Sequence, residues 1–182
     1  MCSSDLSGSH YSHAPMAPID LRLEPITRAG FLPFGQLIEA AGASSAANQG
    51  TAARFDFAAR LANLRPEARA NVAVFRAQPR PLPLAIRLLE RHPGSSQMFV
   101  PMTAPRYAVL VAAPTPAGAP DLATLRAFAV ASHQAINYDP GTWHHPMIAL
   151  DAPADFVMLA WEDGTAGDCV EHPLPEGVTL VG

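Results

Sequence analysis

Apolar positions along this chain come in short runs punctuated by proline and glycine, and several runs alternate with polar residues at a period of two. Leu21-Arg22-Leu23-Glu24-Pro25-Ile26 alternates as a half-buried strand does. Thr27 then stands where its side chain can cap a short helix through Phe31, before Phe34-Gly35 breaks it. Gln36 to Glu39 reads as a second short strand, and residues 40–47 as a loop of small side chains. Residues 57–69 read as a surface excursion, and Asn71 to Arg76, with Val and Phe at its centre, as a strand. Gln97 to Met102, Gln134 to Tyr138 and Asp155 to Trp161 are further strands, and Tyr107 to Ala113 is predicted as pure core. Leu122, Leu125 and Phe128 recur at three-residue spacing behind Asp121. That pattern predicts a capped helix of about two turns, covering a barrel end.

Many short strands joined by rigid turns, with 19 prolines among them, predict a mostly-β barrel. A chain of 182 residues fits one domain with a core of its own, placed here at residues 21–182. Residues 1–20 are rich in Ser, His and Pro and carry no sustained period, so they read as a disordered leader or an expression remnant. His10 and His13 within that stretch are left out of the site.

The polar residues that interrupt the pattern gather in Glu90-Arg91-His92-Pro93-Gly94-Ser95-Ser96-Gln97. On one extended strand the spacing of Glu90 and His92 puts both side chains on one face. Pro93 to Ser96 reads as a tight turn, after which Gln97 can fall beside that pair. A carboxylate, an imidazole and an amide converging at a barrel mouth suit a metal ion or a small acid. Downstream, Trp143-His144-His145-Pro146 holds two adjacent histidines. Strand neighbours point to opposite faces, so at most one of them enters the barrel.

Composition narrows the chemistry. A net charge of −4 gives no basic footprint for nucleic acid, and no apolar run is long enough to span a membrane. All 12 basic residues are Arg, so Schiff-base chemistry is excluded and a ligand carboxylate falls to Arg, His or backbone amides. Arg76, where its strand ends, is a candidate for that contact. Cys2 and Cys169 make no disulfide framework, and with no apolar signal segment a reducing cytoplasm is expected. Cys169 has no basic neighbour or helix start to activate it, and reads as a small buried hydrophobe.

Glu90-x-His92-(x)4-Gln97 resembles the first cupin motif, with Glu and Gln at positions often held by His and Glu. Pro140-Gly141-Thr142-Trp143-His144 is similar to the second, whose Pro-Gly-x-x-His spacing selects His144 over His145. Arg76-Ala77-Gln78-Pro79, Leu88-Leu89-Glu90-Arg91-His92-Pro93, Asn137-Tyr138 and Trp143-His144-His145-Pro146 together resemble the ureidoglycolate lyase family, from about Leu21 to about Leu174. That resemblance implies a cupin-like β-barrel or jelly roll with a few short helices. It implies cleavage of (S)-ureidoglycolate to glyoxylate and urea in allantoin and purine nitrogen catabolism.

Glu90, His92 and His144 are then the catalytic candidates, and Glu90, His92, Gln97 and His144 a mixed site for a divalent first-row metal (Ni, Mn or Zn). No organic cofactor is implied. Asn48-Gln49-Gly50 resembles the family's Asn-x-Gly segment, so Asn48 and Arg54, with Arg76, Gln97 and Tyr138, are the substrate-binding candidates. A homodimer is implied, without nucleic-acid or membrane partners. The competing readings are a cupin that binds a small acid without turning it over, and another metal-cupin enzyme.

Overall fold

The run from Tyr107 to Ala112 is apolar at every position because its strand is covered on both faces. Tyr107, Val109 and Val111 join one core, while Ala108, Leu110 and Ala112 join another on the opposite side. This is a computed structural model describing residues 17–182; His10, His13 and Cys2 lie outside the described residues.

The first half of the chain supplies β1 (Ile19–Pro25), α1 (Arg28–Phe31), β2 (Gly35–Ile38), β3 (Ser45–Ala47), β4 (Ala52–Arg54), β5 (Arg69–Ala77) and β6 (Leu84–Ala85). Next come β7 (Leu88–Arg91), β8 (Gln97–Pro101), β9 (Arg106–Ala112), β10 (Arg126–Ala131) and β11 (Ala135–Tyr138). The chain closes with β12 (Trp143–His144), β13 (Ile148–Ala149), β14 (Ala154–Glu162), β15 (Val170–Pro173) and β16 (Val178–Val181). The larger sheet runs β15-β7-β12-β9-β10-β1-β16-β6, with β13 also on β9. The second runs β2-β11-β8-β14-β5. They enclose a core that includes Phe31, Phe99, Phe128, Tyr138 and Phe156, in a mostly-β, cupin-like fold.

Local chemistry accounts for several junctions. Thr27 caps α1 as expected, its hydroxyl accepting from the Gly30 N–H at 3.0 Å. Residues 45–54, expected to begin as loop, close a small hairpin of β3 and β4. Asn48 and Gln49 turn it with φ of 48° and 57°.

The predicted helix over residues 122–128 is not formed. Asp121 does cap a turn, accepting from the Ala123 N–H, but Leu122–Thr124 is a single 3-10 turn and Leu125 is already extended. Phe128 and Val130 lie in β10, laddered between β9 and β1. Two neighbouring strands offer this aromatic and β-branched segment a full set of backbone partners, which outweighs its helical spacing.

The turn after β7 is held from outside. Ser96 exchanges hydrogen bonds with the backbone of Ala62 (Ala62 N–H to Oγ, 2.9 Å), and the Leu64 N–H donates to the Gly94 carbonyl. The excursion over residues 57–68 is thus strapped to the motif. It lays Arg65 across Gly94, where an added Cβ would come within 2.2 Å of the guanidinium. Glycine is therefore required there for space rather than for a backbone angle. From this position Arg65 pairs with Asp163 at 2.8 Å and with Asp168, and donates to the Trp161 carbonyl.

Candidate functional site

β7 and β12 run antiparallel with Glu90 directly opposite His144, so the two side chains leave the same face of the larger sheet. His144 also pairs with Val111, an inward residue of β9, which fixes that face as the barrel interior. Its neighbour Trp143 packs into the other core, and the His145 ring bonds the adjacent Pro146 carbonyl instead. Glu90 Oε1 lies 3.5 Å from His144 Nε2. The His92 ring stacks beside His144 with centroids 5.4 Å apart. Gln97 starts β8 on the facing sheet, opposite the inward residues Tyr138 and Ala160.

Backbone carbonyls set the tautomers. His144 Nδ1 is 2.9 Å from the Thr142 carbonyl, and His92 Nδ1 is 2.8 Å from that of Asp168. A carbonyl only accepts, so each Nδ1 carries the proton and each neutral Nε2 presents a lone pair. His144 Nε2 therefore faces the Glu90 carboxylate as one acceptor facing another, unless a proton or a cation joins them. His92 Nε2, His144 Nε2 and Gln97 Oε1 are all buried without a hydrogen-bond partner. Each such atom costs about 1–3 kcal/mol.

One carboxylate oxygen and the two imidazole nitrogens lie within 4.8 Å of one another. Mixed nitrogen and oxygen donors of this kind suit a divalent first-row cation, and the orphaned acceptors are the observation that fits one. No metal identity follows from the donor set.

Burial pushes the Glu90 carboxyl up, but the hydrogen bond and charge of His144, then His92, hold it below its ordinary value. Burial pushes His92 down, and the neighbouring His144 charge adds to this. Burial, then the Glu90 charge, raises the Cys169 thiol to about 11. It donates weakly to Glu90 Oε2 at 3.8 Å and is no nucleophile.

Glu90 and His92 open into a cavity of about 260 Å³, lined also by Gln97, Phe99, Met158 and Glu162, with His144 buried behind them. Of the other sequence candidates, Arg76 borders this cavity, but its Nε and Nη2 grip Asp155 bidentately at 2.8 and 2.9 Å. Tyr138 is buried and stacks flat on His144, centroids 4.1 Å apart, supporting the ring rather than lining the cavity. Asn48 and Arg54 stand on the β3–β4 hairpin, with Arg54 paired to Asp56 at 2.7 Å; neither lines the cavity.

Sequence reasoning missed Glu162 and the Thr142 and Asp168 carbonyls. Glu162 had a signal: Phe156, Met158 and Ala160 alternate inward along β14, and one more step reaches it. The carbonyls had none, because any residue supplies one.

The chain matches the family described as "Ureidoglycolate lyase" over residues 18–181. It is 44% identical over 161 residues to a ureidoglycolate lyase of Burkholderia mallei (strain NCTC 10229), covering 88% of this chain and 92% of that protein. It is 46% identical over 156 residues to one of Burkholderia cepacia, covering 85% and 86% respectively. A ureidoglycolate lyase of Pseudomonas syringae pv. tomato is 37% identical over 163 residues, covering 88% and 94%.

The electrostatics predict an observable titration. In metal-free buffer the His92 ring should titrate below the ordinary histidine midpoint of about 6.5. Glu90→Gln should lower it further, since it removes the negative charge that favours the imidazolium. NMR of the ring carbons reads both midpoints; an upward shift on Glu90→Gln would contradict the geometry.

Proposed function

The chain belongs to the ureidoglycolate lyase family, and from that premise we propose that it cleaves ureidoglycolate to glyoxylate and urea, with Glu90, His92 and His144 carrying the chemistry. The observation that carries the assignment of residues is the convergence of the Glu90 carboxylate with the His92 and His144 imidazoles, of which Glu90 and His92 line the cavity and His144 is buried behind them.

The substrate is a hemiaminal: one carbon bears a hydroxyl and a ureido nitrogen. Its collapse moves the O–H bonding pair into a new C=O bond while the C–N pair leaves with nitrogen. One proton must leave the oxygen and one must reach the nitrogen. The Glu90–His144 couple can do both. Glu90, held ionised by its histidine neighbours, accepts the hydroxyl proton, and His144, in its doubly protonated form, carries on Nε2, 3.5 Å away, the proton that the departing nitrogen receives. His92, kept neutral near pH 7, adds an acceptor that orients the hydroxyl. No covalent intermediate is needed, in keeping with a cavity lining that contains no Ser, Cys or Lys.

In the alternative state, with no proton on His144 Nε2, Glu90, His92, Gln97 and His144 would hold a divalent cation, Ni²⁺, Mn²⁺ or Zn²⁺. When bound, such an ion supplies Lewis acidity toward the substrate's hydroxyl and carboxylate oxygens. Arg76 keeps Nη1 free of Asp155, and this is the donor that a substrate carboxylate can meet at the cavity rim. Among the described residues no helix is long and apolar enough to cross a membrane.

We also assign the homodimer implied by sequence to the β5 edge. That strand ends the second sheet with its outer backbone groups unpaired by any neighbour, and Val72 and Val74 are 65% and 63% exposed. Sedimentation at micromolar concentration should give a dimer that Val74→Arg dissociates. A monomeric wild type would reject the assignment.

The activity is tested by glyoxylate release from racemic ureidoglycolate, before and after chelation and with single divalent metals restored. Release is expected, with His144→Ala lowering kcat by about 10²- to 10⁴-fold. Loss on chelation and recovery with one metal would assign the four donors to that ion. Release indifferent to chelation would leave them as an acid–base cluster. No release under any metal would sink the lyase assignment and favour a small-acid-binding cupin.

A further inference from the structure

The cavity holds a second carboxylate that the acid–base chemistry does not use. Glu162 continues the inward row Phe156, Met158, Ala160 at the end of β14, and it lines the same cavity as Glu90, His92 and Gln97. Its Oε2 accepts from Asn71 Nδ2 at 2.6 Å. No other hydrogen bond and no ion pair to Glu162 is formed among the described residues, although Arg69 is its register partner on β5. A carboxylate braced by one amide and facing a small, mostly apolar cavity is set to accept hydrogen bonds from whatever enters.

Building on the lyase reading, we propose that Glu162 recognises the N–H groups of the substrate's ureido arm, braced by Asn71, and so fixes which end of the molecule meets the Glu90–His144 couple. A ureido group presents N–H donors side by side, the pattern that one carboxylate accepts. The opposite end of the substrate is itself a carboxylate, and placing it against Glu162 would set like charges together in a partly desolvated site. The groove outside Glu162 is lined by Glu67 and Asp163 together with Arg69, so acidic groups outnumber basic ones there. Glu162 therefore accepts the uncharged end. The charged end is left for the part of the cavity that borders Arg76, which stands at the opposite end of the β5–β14 ladder from Glu162.

The reading separates from a purely structural role by comparing ligands with and without N–H groups. The probes are ureidoglycolate as substrate, oxalurate as a non-cleavable ureido acid, and glyoxylate as an acid without the ureido arm. Glu162→Gln keeps the volume and replaces an acceptor pair by an amide. It should raise KM for ureidoglycolate and the oxalurate inhibition constant together by about 10- to 100-fold, the weight of a hydrogen bond to a charged group. Glyoxylate inhibition should stay within about twofold, since no N–H contact is lost.

Asn71→Ala keeps the carboxylate but frees it, and should move the same two constants in the same direction by about 3- to 10-fold. An unchanged oxalurate constant in Glu162→Gln would overturn the inference, and so would equal weakening of oxalurate and glyoxylate. Absence of glyoxylate release by the wild type overturns the lyase reading instead. The oxalurate and glyoxylate affinities, measured by calorimetry, still decide whether Glu162 reads N–H donors.

Discussion

A carboxylate placed inside a barrel is the constraint that the site depends on. Removing Glu90 from water costs several kcal/mol unless charge or hydrogen bonds replace its hydration. The antiparallel pairing of β7 and β12 answers this by setting His144 directly across from it, with His92 alongside. The result is a carboxyl that stays ionised despite burial, next to imidazole nitrogens that can carry a proton or share a cation. Stability and chemistry come from the same contact. Taking away either partner leaves the other as an uncompensated polar group.

In the proposed reaction the histidines act only if their Nε2 atoms point inward, and the fold holds each ring from behind. The Thr142 carbonyl holds His144, and Tyr138 supplies a flat surface against it. The Asp168 carbonyl holds His92, and that loop is in turn clamped by Arg65, which lies over Gly94 in the motif's own turn. Residues far apart in sequence thus close a loop of contacts around His92. Such support matters because a misplacement of about 1 Å at a reacting group can cost two orders of magnitude in rate.

Much of this was legible in the sequence where the signal was local. The turn at Pro93 to Ser96 is a short-range pattern that the structure realises, whereas β7 ends at Arg91 and His92 reaches the Glu90 side from just beyond the strand. The mostly-β architecture followed from the same kind of evidence, and the Thr27 cap likewise. Tertiary partners decided the rest. Residues 122–128 carry helical spacing, yet two flanking strands take Phe128 into a sheet. Arg76 reads in sequence as a candidate for a ligand carboxylate, yet Asp155, its register partner on β14, already accepts from its Nε and Nη2. The short closing strand Val178–Val181 forms by lying parallel to β1. Glu162 could have been reached by extending one alternation by one step, whereas carbonyls that orient histidines leave no mark on composition.

The central claim is that the Glu90–His144 couple breaks the carbon–nitrogen bond by moving a proton, leaving the ureido carbonyl untouched. Carbon-13 NMR of turnover with substrate labelled at the ureido carbon tests this most directly. The expected result is that all of the label appears in intact urea, at the rate at which glyoxylate forms. Label in bicarbonate or carbamate would mean attack on the ureido carbonyl and would contradict the account.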